Sequence, residues 1–196
     1  MVPFAQLNDP NLRMIFHISS ICIAGSTSNS SPLQMRSFSL VLLRRLLFRP
    51  GPQHSSNSVA TTLYDHLSAQ TLSTLERLLL QSLTHEPVLV VRRKAADTVS
   101  DVANHAMRNG RPWHALQTEV FRLVYAPDPT SREIAHRVFT SSPNLILDLQ
   151  VETVLATLQR GLEDAENIDV RLPCAYLSHQ SLYSPLGPTR RLRGLS

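Results

Sequence analysis

The sequence has 196 residues, a formal net charge of +4 and 42% hydrophobic residues. A chain of this length holds one or two ordinary domains, or about four or five helical-hairpin repeats, and its hydrophobic content excludes a chain that is disordered throughout. Only 6 glycines among many leucines and alanines favour helices over a turn-rich β fold. No long Lys/Arg face with interleaved aromatic residues is found, so we do not expect direct nucleic-acid binding.

The cysteines and the first apolar run bear on the cellular compartment. Cys22 and Cys174 lie far apart and no CxxC pair is found, which argues against a disulfide framework or a zinc knuckle. The apolar run from Met14 to Gly25 is too short and too interrupted to span a membrane, and it lacks the basic flank of a signal peptide. We therefore expect a reduced intracellular location and no membrane partner.

The sequence lacks the common catalytic and cofactor-binding motifs. Its 8 histidines form no HxxxH or related zinc-binding arrangement. No GxSxG nucleophile elbow is found, and neither is a GxxxxGK[ST] or GxGxxG phosphate-binding loop. We therefore expect no catalytic residues, no cofactor and no metal, and we interpret the protein as a binding protein and not as an enzyme.

Helical periodicity accounts for most of the chain. After a mixed N-terminal segment with a Ser-rich loop, residues 36–50 read as a largely buried helix that Pro50 stops. Residues 51–62 read as a flexible connection. Residues 68–86 form an amphipathic helix in which four leucines share one face, namely Leu72, Leu75, Leu79 and Leu83.

Four more helical stretches follow, at residues 87–110, 112–125, 128–142 and 151–164. In the third of them, Asp128 is suited to cap the helix and the following proline fits the first turn. No alternating strand pattern bounded by hairpin turns is found. The sequence therefore predicts an all-α fold in which short loops make neighbouring helices antiparallel.

Three features of these helices recur at a period near 40 residues. Three arginines near the start of a helix, Arg92, Arg132 and Arg171, are 40 and 39 residues apart. Nine residues before each arginine stands a leucine, and three residues after it stands a small residue. These are Leu83, Leu123 and Leu162, and Ala95, Ala135 and Cys174. Such a period is typical of HEAT and armadillo-type arrays, so we predict an α-solenoid of HEAT-type antiparallel helix pairs.

Each recurring position has a physical role in such an array. The small residue lets the second helix of a pair lie close to its neighbours, and the leucine fills the groove between paired helices. The arginine has five donors and is suited to bridge to acidic or carbonyl groups of the adjoining repeat. Chance matches among unrelated helices are the alternative explanation of the period.

Several of these helices resemble the repeats of a known family. Residues 36–49, "RSFSLVLLRRLLFR", are similar to an early repeat of the importin-β (karyopherin-β) nuclear transport receptors, and "VVRRKAADTVSDVANHAM" is similar to the helix that follows. Residues 111–146 resemble the next repeat, with Trp113 at a helix start. The chain is thus identified as similar to the N-terminal HEAT-repeat region of a receptor of the importin β-3 type, and it looks truncated.

The resemblance implies a domain organisation and a set of partners. It places HEAT repeats at residues 36–171, between an irregular or degenerate segment at 1–35 and an irregular, disordered tail at 172–196, where Pro173 interrupts the helical pattern. It implies binding of the GTPase Ran in its GTP form and of cargo proteins such as ribosomal proteins or histones, with nucleoporins as further partners. The implied location is the cytoplasm and the nucleus.

The resemblance also indicates which residues contact a partner, because second helices line the concave surface where Ran and cargo bind in this family. The expected contact residues lie along one second helix and are Arg93, Lys94, Asp97, Asp101 and Asn104. We expect Arg92 to pair within the scaffold, and Trp113 to pack inside it and not to act as a binding hot spot. Two alternatives remain open: a HEAT scaffold that assembles a protein complex, and a truncated product without function.

Overall fold

The computed structural model of the protein describes residues 33–49, 61–147 and 151–183. The predicted irregular segment at residues 1–35 lies almost wholly outside the described residues, and so does the apolar run that begins at Met14. Secondary structure within the described ranges is helical, with no β-strand element. The prediction of an all-α fold is confirmed.

The first described helix, α1, runs Leu33–Leu47 and begins ahead of the predicted start at residue 36. Leu40, Leu43 and Leu47 are at most 1% exposed, so one side of the helix is fully buried. The helix ends shortly before Pro50, because a proline has no backbone N–H and its ring blocks the preceding turn.

The next two helices form an antiparallel pair, with α2 at Ala69–His85 and α3 at Leu89–Arg108. A short 3₁₀ turn at Leu63–His66 precedes them. The hydroxyl of Ser68 caps α2 by accepting the backbone N–H of Thr71 at 3.2 Å. The four leucines predicted to share one face of α2 are all buried, at 7% exposure or less: Leu72, Leu75, Leu79 and Leu83.

The chain leaves α3 through a glycine-dependent turn. Gly110 has a φ of 70°, a left-handed conformation that costs residues with a side chain about 1–2 kcal/mol. This turn allows the backbone N–H of Arg111 to reach the carbonyl of Ala106 at 2.8 Å, while that of Gly110 reaches Met107 at 3.0 Å. The two bonds satisfy carbonyls at the helix end, which explains why the chain breaks where Gly110 predicts it.

The second complete pair consists of α4 at His114–Val124 and α5 at Pro129–Ser141. Asp128 caps α5 as predicted, since its carboxylate accepts the backbone N–H groups of Thr130 and Ser131 at 3.2 and 3.0 Å. Trp113, just before α4, is 5% exposed and packs in the core, which confirms the packing role.

The last described pair follows a short helix, α6, at Asn144–Leu147. It consists of α7 at Val151–Leu162 and α8 at Ile168–Tyr183. The prediction of an irregular chain from residue 172 onward is wrong for residues 172–183, because α8 continues through Pro173.

Packing explains why α8 continues. Val170 and Cys174, on either side of Pro173, are both fully buried, and α8 packs against both α5 and α7. A proline inside a helix costs about 3 kcal/mol. The burial of these side chains offsets that cost, which the local sequence pattern does not show.

The helices form two rows. The first helices of the pairs are α2, α4 and α7, and each packs on the second helix of its own pair. The second helices pack on one another in the order α1, α3, α5 and α8. Small side chains at 0% exposure occur in this second row, among them Ala95, Ala103, Ala135 and Cys174, and they allow the close approach of its backbones. A continuous core built by stacked pairs is the architecture of an α-solenoid.

Candidate functional site

The expected contact residues lie on one stripe of α3. Arg93, Lys94, Asp97, Asp101 and Asn104 are all partly exposed, while most of the helix between Val91 and Ala106 is buried. Asp97, Asp101 and Asn104 follow Arg93 and Lys94 at intervals of three or four residues, which keeps them on the side of α3 that faces the gap between its neighbours in the second row. We call this partly exposed side of α1, α3, α5 and α8 the second-helix face.

Arg93 connects three second helices. Its Nε donates to the Glu133 carboxylate of α5 at 2.5 Å, and its Nη2 donates to the Asp169 carboxylate of α8 at 3.0 Å. The hydrogen bond to Glu133 is the main reason why the pKa of Arg93 is raised above its ordinary value. The side chain of Glu133 is only 5% exposed, so Arg93 neutralises a carboxylate that is nearly out of water.

Asp97 and Asp101 pair with arginines of the helices on either side. Arg137 of α5 donates its Nε to Asp97 at 2.8 Å, and the ammonium of Lys94 lies 3.7 Å from the same carboxylate. Arg44 of α1 donates to Asp101. The charged residues of α3 thus form ion pairs with α1, α5 and α8 along the second-helix face.

Asn104 has a different role from its neighbours. Its amide Nδ2 donates to the carbonyl of Ser141, the last residue of α5, at 2.8 Å. This bond satisfies one of the carbonyls that a helix end leaves without an intrahelical donor. The amide therefore stabilises the junction of α3 with α5, and contact with a partner stays a prediction for this residue, as it does for the other four.

Two of the three predicted bridging arginines, Arg92 and Arg132, form bridges below the second-helix face, while Arg171 is exposed. Arg92 is 7% exposed, donates to the Leu83 carbonyl at 2.6 Å and to the Ser131 hydroxyl at 3.0 Å, and lies 3.8 Å from the Asp128 carboxylate. Desolvation by burial lowers its pKa. The expectation that Arg92 pairs within the scaffold is therefore confirmed.

Equivalent bridges occur in the pairs on either side. Arg36 of α1 donates to both carboxylate oxygens of Glu86, at 2.7 and 2.9 Å. Arg132 of α5 donates to Asp164 at 2.6 Å and to Glu166 at 2.6 Å. In each case an arginine of one second helix binds an acid in the loop that joins the helices of the next pair.

The sequence did not reveal the acidic residues that bind these arginines. Glu86, Asp128 and Asp164 precede the next second-helix arginine by six, four and seven residues, so they share no fixed spacing. Their common property is their place in the loop between two helices, and such a loop adjusts its length without changing the array. A search for an acid in each loop, and not at each interval, would have found them.

Two open grooves lie on the second-helix face. One, of about 410 Å³, separates α1 from α3 and is lined by Val41, Arg44, Arg45, Phe48, Lys94, Asp97, Thr98 and Asp101. The other, of about 230 Å³, is lined by Arg93, Glu133, Arg137, Asp169 and Leu172. Four of the expected contact residues therefore line a groove, and Asn104 does not.

A buried pair, Cys174 and His136, has the residue types of a nucleophile and base but not their electrostatics. The Cys174 Sγ lies 3.0 Å from the His136 Nδ1. Burial raises the pKa of Cys174 to about 12 and lowers the pKa of His136 to about 4. Near neutral pH the pair is therefore a thiol and an uncharged imidazole, and no thiolate nucleophile is available.

Within the three described ranges, no group of three or more His, Cys, Asp and Glu residues is placed to hold a metal ion. Across the same ranges, no helix has the length and apolar content needed to cross a membrane.

Comparison with known proteins identifies the repeats. A family model described as "IPO5-like, TPR repeats" matches residues 87–176, which include α3 to α5, α7 and the first half of α8. The match covers 90 of the 196 residues, and over these residues the chain is similar to importin-type repeats. The period near 40 residues is that of HEAT repeats, and it exceeds the 34 residues of a typical TPR unit.

The chain is similar to part of a much longer protein. The importin subunit beta-3 of Saccharomyces cerevisiae is 22% identical over 171 residues, which is 84% of this chain and 15% of that protein. This chain therefore spans about 15% of the length of its curated relative. The relative is a nuclear transport receptor and not an enzyme.

Solved karyopherin structures share the fold. Kap121p bound to the extreme C-terminus of the protein phosphatase Cdc14p has a TM-score of 0.67 and 18% identity, over 90% of this chain and 15% of that chain. Kap121p bound to Nup53p has a TM-score of 0.66 and 19% identity, over 89% and 15%. Kap121p bound to RanGTP has a TM-score of 0.62 and 18% identity, over 84% and 14%. The fold is thus the HEAT solenoid of karyopherins.

Proposed function

We propose that this chain is part of a nuclear import receptor of the importin-β family and that it binds Ran in its GTP form, cargo proteins, or both. The observation that carries the proposal is the second-helix face, a row of four second helices with partly exposed charged residues in a chain that is similar to importins. Movement between the cytoplasm and the nucleus is part of the same proposal.

The relatives support this choice of partners. Kap121p has been solved with RanGTP and with Nup53p, and these two complexes favour Ran and a nucleoporin as partners of this chain. The complex with the C-terminus of Cdc14p favours cargo peptides. Ribosomal proteins and histones are the cargo classes that we propose from the resemblance to the importin β-3 type.

The weak, exposed ion pairs of the second-helix face suit a partner that binds and is later released. Its ion pairs include Arg93 with Asp169 and Arg44 with Asp101, where each side chain is between 33% and 52% exposed. Pairs as exposed as these contribute about 0–1 kcal/mol each, so a partner can replace them at little cost. The buried arginine bridges below them hold the pairs together while the exposed pairs change.

The same arrangement couples binding to curvature. Two ion pairs of this face, Arg44 with Asp101 and Arg137 with Asp97, join neighbouring second helices. A partner that separates or draws together those helices therefore changes the angle between repeats. Each repeat contacts only its neighbours in a solenoid, and small changes at several junctions therefore add along the array. We propose that Ran and cargo influence one another through this change of curvature.

A capture assay with Ran locked in its GTP or GDP form tests the proposal. The immobilised chain is expected to retain Ran-GTP and not Ran-GDP. Asp101→Lys on α3 is expected to reduce that capture about tenfold, because it reverses a charge on the second-helix face. Glu119→Lys on α4 is the matched control, since it also breaks one exposed pair with an arginine, Arg122, but lies on a first helix.

The outcomes separate the alternatives. Capture of neither form contradicts a role in Ran binding and leaves cargo binding alone, the HEAT scaffold or a product without function. Equal capture of both forms favours the scaffold, because a transport receptor must distinguish the nucleotide state. Equal losses with Asp101→Lys and Glu119→Lys would show that binding does not use the second-helix face.

A further inference from the structure

The larger groove, between α1 and α3, combines an apolar wall with a charged one. On α1, Val41, Arg45 and Phe48 line the groove, and Phe38 precedes them at the same three- and four-residue spacing. That spacing places all four on one side of the helix. Phe38 is 57% exposed, which leaves a large aromatic ring in water at the end of this wall.

The carboxylates of the groove are already bound within the chain. Asp101 accepts from Arg44, and Asp97 accepts from Arg137 at 2.8 Å. An incoming cationic group would have to displace an arginine from either carboxylate. A lysine-rich or arginine-rich segment would therefore replace one ion pair by another with little net gain, although two acids line the groove.

Two cations that line the groove have N–H donors available to bind a ligand. Arg45 is exposed, and within the described residues its side chain has no ion pair or hydrogen bond. Lys94 is 44% exposed at its side chain and has only a loose contact, 3.7 Å, with Asp97. One cation stands on the α1 wall and the other on the α3 wall, so a carboxylate in the groove can be approached from both sides.

From these contacts we infer that the groove binds an acidic segment of a partner protein. Aspartate or glutamate side chains of that segment bind Arg45 and Lys94, and an adjacent apolar side chain packs on Val41 and Phe48. The inference rests on the proposed function only in that it uses the second-helix face as the binding face.

The groove favours a peptide over a nucleic acid for a physical reason. Nucleic-acid binding depends on several phosphate contacts at once, and each contact adds to the affinity and to its salt dependence. In this groove, Arg45 and Lys94 lie beside two carboxylates and an apolar wall. A short acidic peptide needs few cations and uses the apolar wall, whereas a phosphate backbone leaves that wall uncovered.

Fluorescence anisotropy on the full chain tests the inference. The probe is a fluorescein-labelled peptide of about ten residues in which glutamates flank leucines. Two further probes of the same length have lysines in place of the glutamates, or are an oligouridine. The glutamate peptide is expected to bind, and the other two to bind at least about tenfold more weakly.

Substitutions locate the binding to the groove. The double variant Arg45→Glu with Lys94→Glu is expected to weaken binding of the glutamate peptide about tenfold or more. Arg77→Glu is the matched control: Arg77 is exposed on the first helix α2, so its reversal changes the net charge but not the groove, and binding stays within about twofold. If circular dichroism shows that the double variant has lost helix, Arg45→Gln with Lys94→Gln replaces it, with a smaller expected loss.

Several results would overturn the inference. They are no binding of the glutamate peptide, tighter binding of the lysine peptide or the oligouridine, and an equal loss in the Arg77→Glu variant. The Ran capture assay uses other substitutions and another ligand. The chain can therefore fail to retain Ran-GTP while it binds the peptide, or the reverse, and the two proposals are tested separately.

Discussion

The pairs α4–α5 and α7–α8 place the same repeat positions in different surroundings. Leu123 is 2% exposed, whereas Leu162, its equivalent one repeat later, is 41% exposed. Arg132 binds two acids, while Arg171 at the equivalent position is exposed. The small residues of the two pairs are alike, because Ala135 and Cys174 are both fully buried.

The difference follows from which side of a pair has a neighbour. The buried residues of α8, such as Val170 and Cys174, face α5 and α7. Among the described elements, none packs on α7 and α8 beyond α5 and these two helices themselves, and Leu162 is exposed. A repeat position therefore sets where a side chain points, and the next pair decides whether the side chain is buried.

The largest expected effect comes from truncating the equivalent leucines. Leu123→Ala should lower the free energy of unfolding by about 2–5 kcal/mol, because it removes a fully buried side chain and leaves a cavity. Leu162→Ala should cost less than about 1 kcal/mol, since water already reaches that side chain. Urea unfolding followed by circular dichroism measures both. Similar losses in the two variants would mean that Leu162 is buried in solution.

The junction between the two pairs should make stability depend on pH. His136 of α5 is 1% exposed, and burial lowers its pKa to about 4 from an ordinary value of 6.5. The unfolded chain therefore binds a proton between pH 6.5 and pH 4 that the folded chain does not. The contribution of His136 to stability is complete above pH 6.5 and falls by roughly 3 kcal/mol as the pH drops to 4.

Unfolding free energies measured across this pH range check the prediction. His136→Gln should remove most of the decline, because every other titratable group is the same in both proteins. The carboxylates of Asp65 and Asp128, each with a pKa of about 2, lose their contributions at lower pH, between about 4 and 2. The difference between variant and original chain in the higher range therefore isolates His136, and a parallel decline in both would contradict the assignment.

The smallest of the three effects comes from a glycine at the same junction. In most helices Gly→Ala stabilises by about 0.5–1 kcal/mol. At Gly161 of α7, however, an added Cβ would lie 2.1 Å from the Cys174 Sγ and 2.7 Å from the His136 Cε1. Gly161→Ala should therefore destabilise by about 1–3 kcal/mol in thermal unfolding.

A second substitution shows whether crowding is the cause. Cys174→Ala removes the sulfur that the added methyl group meets first, so Gly161→Ala should cost less in that background. A stabilising effect of Gly161→Ala in the original chain would mean that α7 lies farther from α5 and α8 than the structure places it.

Much of the fold was predictable because the signals for it are local. Asp128 with Pro129 marks the start of α5, and Gly110 marks the end of α3, through interactions within a few residues of the chain. The predicted disorder beyond residue 171 failed for the opposite reason. Pro173 is a local signal against a helix, but Val170 and Cys174 are buried against other helices, and packing prevailed.

The candidate site was predictable in part. Helical spacing places Arg93, Asp97 and Asp101 on one partly exposed side of α3, as expected. It does not show that each of them pairs with an arginine or an acid of a neighbouring helix, 40 or more residues away in the chain. Those pairs depend on how the second helices are placed side by side, and only the structure gives that placement.

The sequence by itself determined the period, the helices and the small residues of the second row, because each follows from spacing and local chemistry. The tertiary structure alone decided which loop acid each arginine binds, which equivalent leucine is buried, and where the groove between α1 and α3 lies. These features depend on contacts between pairs, and a repeat sequence specifies the position of a residue in its own pair more strongly than the neighbour it meets.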